Sequence, residues 1–440
     1  MENSKVVYIG LLGLGTVGSG VVKSLATNQE HIEQRTGFSV QVRRALVRDL
    51  YKPRRVSIHK ELLTTTAQDI LSDPFISVVV EVMGSVEPAR TMIMSALHAG
   101  KHVITANKEL LAKHGVELMA TAEEMNVRLL FEASVGGGIP IVRMVESYLT
   151  ANRIYAIQGI LNGTCNYILT QMDEQGLSFH TALQTAQELG YAEADPESDV
   201  LGFDAAYKLS ILANMAFPVY THLGDVQRQG ITEITPYDIV AAKSINGVIK
   251  LIGRASYDRG RVSLEVGPRI ISKDHPLGGV RDVFNAVTLS ADVVGELTFI
   301  GRGAGELPTA SAVIEDLMEI LRAPRPYGMR LPTLPPSSPV EQAPQDTEQQ
   351  YYVRISSQVS QQPDQVLEIL AGIRSFLPDA YLMSAVDVST DEKSNTLSLL
   401  IRTVDCTFML QKLASVGFTC ELCLPFDGAW PKEREAIYSM

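Results

Sequence analysis

Cysteine is scarce in this chain. Cys165, Cys406, Cys420 and Cys423 are the four among 440 residues. They are too few and too scattered for the disulfide framework of a small secreted domain. Long apolar runs are missing too, since none reaches the roughly 18 residues that suggest a membrane span. The first residues, Met1-Glu2-Asn3-Ser4-Lys5, lead straight into an apolar strand. They lack the basic segment, apolar stretch and cleavage site of a secretory leader. Positive charge is also in short supply. Lys and Arg number 38 against 50 Asp and Glu, for a net charge of -12. A chain this acidic, with no long Lys/Arg run, has no general attraction for phosphate backbones. Neither nucleic acid nor membrane is an expected partner, and the cytoplasm is the default location.

What is present is an alternating pattern of strands and helices. The length suggests roughly two to four domains. Residues 6–12, 39–47, 76–83, 102–105 and 128–132 read as strands. Helices are expected over 16–26, over 89–99 with Gly100 as the stop, and up to residue 126. That alternation predicts an α/β Rossmann-type doubly wound parallel sheet over residues 1–133. Gly136-Gly137-Gly138-Ile139-Pro140 is a natural junction. Strands over 154–161, 262–268 and 286–290, mixed with long helices, then predict an α+β substrate-binding and catalytic domain over 134–304. A helix over 309–321, within a segment of about 305–322, returns to the first domain. Residues 323–349, rich in Pro, Ser, Gln and Glu, read as a linker. Residues 350–440 carry strand, helix, strand, strand, helix, strand (351–357, 366–376, 382–388, 396–403, 406–415 and 420–424). That order is a ferredoxin-like βαββαβ unit.

Gly13-Leu14-Gly15-Thr16-Val17-Gly18 fits G-x-G-x-x-G between an apolar strand and an amphipathic helix, the context that gives the motif meaning. Gly13 permits the tight turn, Gly15 lets the backbone approach a pyrophosphate, and Gly18 lets helix and strand pack. The helix N-terminus adds N–H donors and a favourable dipole. The second strand ends Leu46-Val47-Arg48-Asp49-Leu50-Tyr51-Lys52. Arg48 stands where an NAD binder usually has its acidic residue. A cation there suits a 2′-phosphate, so NADP(H) is favoured and NAD(H) remains open through Asp49. Thr105-Ala106-Asn107-Lys108 follows a strand, which puts Lys108 near the nicotinamide end of a cofactor. A lysine opening a helix is otherwise commonly a surface residue.

The acidic stretch Glu193-Ala194-Asp195-Pro196-Glu197-Ser198-Asp199 reads as the opening of a helix that runs on to residue 213. Asp204 and Lys208 are four apart and share a face. An exposed pair of this kind contributes little. Phe203, Ala206, Leu209, Ile211, Leu212 and Ala213 leave little of the helix polar, which argues for burial. A buried, paired lysine is suited to proton transfer. Glu193 and Asp199 add carboxylates for an ammonium group.

Taken together, the sequence resembles homoserine dehydrogenases from about residue 5 to about residue 323. The resemblance rests on the glycine turn and on Asn162-Gly163-Thr164-Cys165-Asn166-Tyr167-Ile168-Leu169. It also rests on the acidic stretch through Asp204 and Lys208, and on Gly301-Arg302-Gly303-Ala304-Gly305 with Pro308-Thr309-Ala310. It implies reversible NAD(P)H-dependent reduction of L-aspartate 4-semialdehyde to L-homoserine, in threonine, methionine and isoleucine biosynthesis. Lys208 would donate the proton, oriented by Asp204, and Lys108 would contact the nicotinamide and the reacting oxygen. Glu193 would hold the substrate ammonium, with Asp199, Asn162, Gly163 and Thr164 lining the pocket. Gly84, Thr105 and Gly303 complete the expected cofactor contacts. Phe131-Glu132-Ala133-Ser134-Val135-Gly136-Gly137-Gly138-Ile139 resembles the family's monovalent cation site. There the Glu132 carboxyl and the carbonyls of Val135, Gly137 and Ile139 would hold a structural sodium ion. The C-terminal unit stands where many members carry an ACT domain, which implies feedback by threonine. Its usual D-x-P-G turn appears as Gln361-Gln362-Pro363-Asp364-Gln365, without the glycine. A homodimer or homotetramer is expected.

Two enzyme readings and one non-enzyme reading compete. Aspartate semialdehyde dehydrogenase needs a cysteine nucleophile, and Cys165 is the one cysteine before the linker. A degenerate dehydrogenase acting as an amino-acid sensor would not need Lys108, Glu193, Asp204 and Lys208 together. In Cys420-Glu421-Leu422-Cys423, a regular strand would send the two thiols to opposite faces, and no histidine follows His275. Buried structural cysteines are expected there rather than a zinc site.

Overall fold

A computed structural model describes residues 5–322, 348–357, 371–375, 377, 380–387 and 395–430. The first sheet contains β1 (Lys5–Leu12), β2 (Phe38–Leu46), β3 (Leu63–Thr64), β4 (Ile76–Glu81), β5 (His102–Thr105) and β6 (Leu129–Leu130). Its order is β3-β2-β1-β4-β5-β6, with every pairing parallel. This is the Rossmann-type order, with its switch point between β1 and β4. The interior strands are apolar and buried because helices cover both faces. The first helix, Thr16–Thr36, runs well past residue 26 and stops at Gly37 in left-handed backbone. The helix Glu306–Arg322 packs against it. A Cβ on Gly20 would come 2.5 Å from the Glu306 carbonyl oxygen, so the close crossing depends on that glycine.

The second sheet is mixed and larger. It contains β7 (Ile154–Ile160), β8 (Gln227–Arg228), β9 (Gly247–Asp258), β10 (Arg261–Ser272), β11 (Phe284–Ala291) and β12 (Gly295–Arg302). The run β12-β11-β7-β9-β10 is antiparallel. The sequence expectation lacked β9 and β12. Strand β9 is buried over most of its length, so the polar/apolar alternation that marks a half-buried strand is weak. Strand β12 is a largely exposed edge strand opening on a glycine. Ile157, Leu209, Leu212 and Leu264 belong to one core between this sheet and its helices.

The remaining strands, β13 (Gln349–Ser357), β14 (Tyr381–Asp387), β15 (Asn395–Thr403) and β16 (Thr419–Asp427), extend the same sheet. Their order is β16-β13-β15-β14, with antiparallel pairings, as the ferredoxin-like expectation requires. Strand β16 joins β10 in parallel through Ile270 with Phe426 and Ile271 with Asp427. Tyr352 donates to Asp238 at 2.6 Å, and Arg354 pairs with the same buried carboxylate. The helix Cys406–Ser415 covers the opposite face. Residues 323–347 of the linker expected over 323–349, most of the 366–376 helix, and the turn at Gln361–Gln365 lie outside the described residues, and Gln349 already belongs to β13.

The expectation that the Cys420 and Cys423 thiols point to opposite faces is corrected, and both are half-buried rather than fully buried. Between Arg354 and Ile355 the register shifts, with Leu422 and Cys420 as partners and Glu421 as the extra residue. This bulge cancels the odd spacing. Cys406, Cys420 and Cys423 all pack against the core under the helix Cys406–Ser415. They are free thiols, with 3.7 Å between the Sγ atoms of Cys406 and Cys423.

Candidate active site

The glycine turn lies at the switch point. Gly13 has φ +107°, and its N–H donates to the Leu46 carbonyl at 3.2 Å. Gly15 caps the helix Thr16–Thr36 with no side-chain partner, which leaves N–H donors at the helix start. A Cβ on Gly18 would come 2.4 Å from the Gly13 carbonyl oxygen, whereas one on Gly15 would meet nothing within 4 Å. Arg48 is exposed just beyond β2. Arg55, which the sequence reading missed, reaches Thr16 Oγ1 at 3.5 Å, so a second cation lies by the same helix start. Gly84 follows β4 in left-handed backbone. Gly303 has the Asn285 carboxamide directly against it, so that a Cβ would lie 2.0 Å from the Asn285 Cγ.

Thr105 ends β5 and Asn107 caps the next helix, accepting from the Leu110 N–H at 3.1 Å. Lys108 is thereby the first residue of the helix Lys108–Glu124 and points across to the second domain. Its Nζ lies 3.0 Å from Asp204 Oδ1.

The acidic stretch does not form one continuous helix. A single turn, Glu197–Val200, ends before Gly202, which adopts φ +80° and caps a new helix, Phe203–Ala216. A left-handed residue cannot continue a right-handed helix, and glycine adopts it without steric cost. The break places Asp204 in the first turn of the new helix, with Lys208 one turn on. Lys208 Nζ lies 2.6 Å from Asp204 Oδ2 and donates to the Leu161 carbonyl at 2.8 Å. Both residues are buried. Asn162 Nδ2 donates to Asp204 at 2.9 Å and to Asp199 at 2.7 Å. Its Oδ1 accepts from the Cys165 N–H and so caps the helix Gly163–Gln175. Thr164 donates to the Tyr191 carbonyl at 2.8 Å.

Electrostatics follow from this shared carboxylate. Burial alone would raise the pKa of Asp204, but the Lys208 and Lys108 charges outweigh it and hold the carboxyl far below the usual range. The Asp204 charge in turn raises the pKa of Lys108. Burial, with the Asp204 charge beside it, raises Asp199. Glu193 is exposed on the rim, and its charge is a smaller contributor to the rise at Lys108. The cluster holds a buried lysine within hydrogen-bond distance of a carboxylate fixed by Asn162. Such a group can stabilise and protonate an oxyanion.

Cys165 is fully buried, and its thiol donates to the Asp199 carbonyl at 3.1 Å. Burial pushes its pKa well up, so it has no thiolate for nucleophilic attack. This removes the physical basis of the semialdehyde-oxidising alternative.

Glu132 is buried at the junction. Its carboxylate oxygens accept from the Val142 and Arg143 N–H groups at 3.0 and 2.8 Å. Burial outweighs those donors and raises its pKa to about 7. Val135, Gly137 and Ile139 are buried beside it. The Ile139 carbonyl accepts from Ile141. Among the described residues, no hydrogen bond reaches the Val135 or Gly137 carbonyl. The Val135 and Gly137 carbonyls are thus oxygen acceptors left over in the same buried segment as Glu132.

Comparison with known proteins agrees with this geometry. A family model described as "Homoserine dehydrogenase, NAD binding domain" matches residues 13–132, and one described as "Homoserine dehydrogenase" matches residues 140–318. The homoserine dehydrogenase of Bacillus subtilis is 45% identical over 318 residues, 72% of this chain and 73% of the relative. That of Mycobacterium tuberculosis strain H37Rv is 42% identical over 360 residues, 80% of this chain and 81% of the relative. The crystal structure of a homoserine dehydrogenase from Thiobacillus denitrificans superposes with a TM-score of 0.84 at 35% identity, covering 96% of this chain and 98% of that one. A hyperthermophilic archaeal homoserine dehydrogenase in complex with NADPH covers 74% of this chain and 100% of its own, at 27% identity and a TM-score of 0.62. With the paired lysines, the shared Asp204 and the Rossmann-type turn already in place, the chain belongs to the homoserine dehydrogenase family.

Proposed function

We propose that the family's reaction, reversible NAD(P)H-dependent reduction of L-aspartate 4-semialdehyde to L-homoserine, runs in this chain around Asp204. The observation that carries the reading is the sharing of Asp204 by Lys208 and Lys108. A bound nicotinamide cofactor would supply the hydride. Lys208 protonates the oxygen as charge develops on it, and Asp204 holds the lysine in place. Lys108 stabilises the same oxygen from the cofactor side. Asp199, Asn162, Gly163 and Thr164 line the substrate end, and Glu193 receives the ammonium group. The test is homoserine oxidation with NADP by wild type and Lys208→Ala. Loss of about 10²–10⁴-fold in kcat is expected, with cofactor binding retained. An unchanged kcat would remove Lys208 from the chemistry.

The cofactor rests on Gly13 to Gly18, Gly84, Thr105 and Gly303, and we favour NADP(H) because Arg48 and Arg55 flank the site of a 2′-phosphate. Glu132, Val135, Gly137 and Ile139 would hold a sodium ion that braces the junction. The chain is proposed to divide into a nucleotide domain (1–133, with the returning segment 305–322), a catalytic and dimerisation domain (134–304), a linker (323–349) and an ACT-like domain (350–440). Domain order supports feedback by threonine, which titration of rate and oligomeric state with threonine tests. A cytoplasmic homodimer or homotetramer completes the reading.

A further inference from the structure

Glu81 ends β4 and is fully buried. No Lys, Arg or His among the described residues forms an ion pair with it. Its carboxyl oxygens instead accept from hydrogen-bond donors on two separate loops. Oε1 accepts from the Met83 N–H at 2.7 Å, and Oε2 accepts from the Thr105 hydroxyl at 2.6 Å. Thr105 Oγ1 then accepts from the Asn107 N–H at 3.0 Å. Asn107 caps the helix that begins at Lys108 and also donates Nδ2 to the Ser85 carbonyl at 2.8 Å. The Ala106 N–H donates to the Glu81 carbonyl at 3.2 Å. The same segment abuts the glycine turn, because the Val82 N–H donates to Leu12 at 2.9 Å.

A buried carboxylate with no cation beside it is costly unless its acceptor capacity is needed. Here both oxygens face donors and both serve as acceptors. A glutamine would offer one oxygen and one NH₂ group. Turned one way, the NH₂ faces the Met83 N–H. Turned the other way, it can donate to the remaining lone pair of Thr105 Oγ1, and the Thr105 hydroxyl proton then loses its acceptor. One donor is left unpaired in either case.

We propose that Glu81 is a positioning residue that locks the loop after β4 to the turn after β5 and so delivers Lys108 to Asp204. This rests on the role given to Lys108 above. The experiment compares kcat and KM for homoserine and NADP in wild type, Glu81→Gln, Thr105→Val, Thr105→Ser, Lys108→Ala and the Glu81→Gln/Lys108→Ala double variant. Misplacing a reacting group by about 1 Å can cost about 100-fold. Glu81→Gln and Thr105→Val should each lower kcat by about ten- to hundredfold on that scale. Thr105→Ser, which keeps the hydroxyl, should lose less of kcat than Thr105→Val. In the Lys108→Ala background, Glu81→Gln should cause no further loss. An equal loss with and without Lys108 would overturn the proposal, as would a folded Glu81→Gln enzyme with wild-type kcat. Should Glu81→Gln fail to fold, Thr105→Val reads the same link from its other end. Lys108→Ala with undiminished kcat would instead overturn the role of Lys108 itself, a result separable from the others.

Discussion

Lys108 and Asp204 lie on separate sheet-and-helix layers and meet at 3.0 Å. The contact links a lysine set by the turn after β5 to a carboxylate already paired with Lys208. Removing the carboxylate charge with Asp204→Asn leaves two lysines facing each other. Breaking a buried pair from one side costs about 3–5 kcal/mol, so a clear fall in Tm is expected. The pKa of Lys108, raised in the wild type by Asp204, should drop. A group with a raised folded pKa contributes stability that is complete below its unfolded pKa and is lost as pH rises through the folded one. The wild type should therefore hold its Lys108 charge further into the alkaline range than Asp204→Asn. Rate profiles of both proteins between pH 7 and 11 would show it, and coincident alkaline limbs would refute it.

Gly15 and Gly18 should separate binding from folding. A Cβ on Gly15 meets no atom within 4 Å, but one on Gly18 would lie 2.4 Å from a backbone oxygen. Gly15→Ala is expected to keep the wild-type Tm while weakening NADP binding. Gly18→Ala should lower Tm as well. Calorimetry paired with cofactor titration distinguishes the two.

Arg48 should set cofactor preference. Exchanging it for an acidic residue, Arg48→Glu, removes a partner for a 2′-phosphate and supplies one for a ribose hydroxyl. The ratio of kcat/KM for NADP to that for NAD should fall at least about tenfold, roughly the 1.4 kcal/mol of one lost charge-assisted contact. An unchanged ratio would shift the assignment to Arg55.

The sodium site proposed at Glu132 should make the effects of sodium and pH on stability interdependent. Its pKa, raised to about 7 by burial, means that the folded protein holds this proton more tightly than the unfolded chain. Stability from this group is therefore greatest below the unfolded carboxyl pKa and declines as pH climbs to about 7, since the native state binds the extra proton across that interval. A cation bound there favours the ionised carboxyl and should offset the decline. Tm measured from pH 4.5 to 7.5 should fall more steeply in a sodium-free buffer than with sodium present. Identical slopes would argue against an ion at Glu132.

Much of the site was legible because its signals are local. The glycine turn carries its own context of strand and helix, and the four-residue spacing of Asp204 and Lys208 on an apolar helix marks a buried pair. The contact of Lys108 with that pair is not local, and only the family resemblance pointed to it. The break at Gly202 was hidden because apolar residues continue on both sides of it. Glu81 was missed for a related reason, as a carboxylate at the end of an apolar strand reads as the strand's exposed tip. The bulge at Glu421 depends on the partner strand's register, which one strand's sequence does not carry.

The parallel seam between β10 and β16 bears on how this protein can be dissected. Ile270 and Ile271 find their strand partners in Phe426 and Asp427, and Arg269 is tied to Asp427 as well. A chain cut before residue 348 would retain every residue proposed for chemistry. It would nevertheless bare one end of β10, with free backbone donors and acceptors beside a buried arginine left with Glu265 alone as counter-charge. Naked strand edges recruit other strands. Such a catalytic fragment is expected to clump edge to edge, so lost activity in it would report insolubility before it reported any loss of regulation.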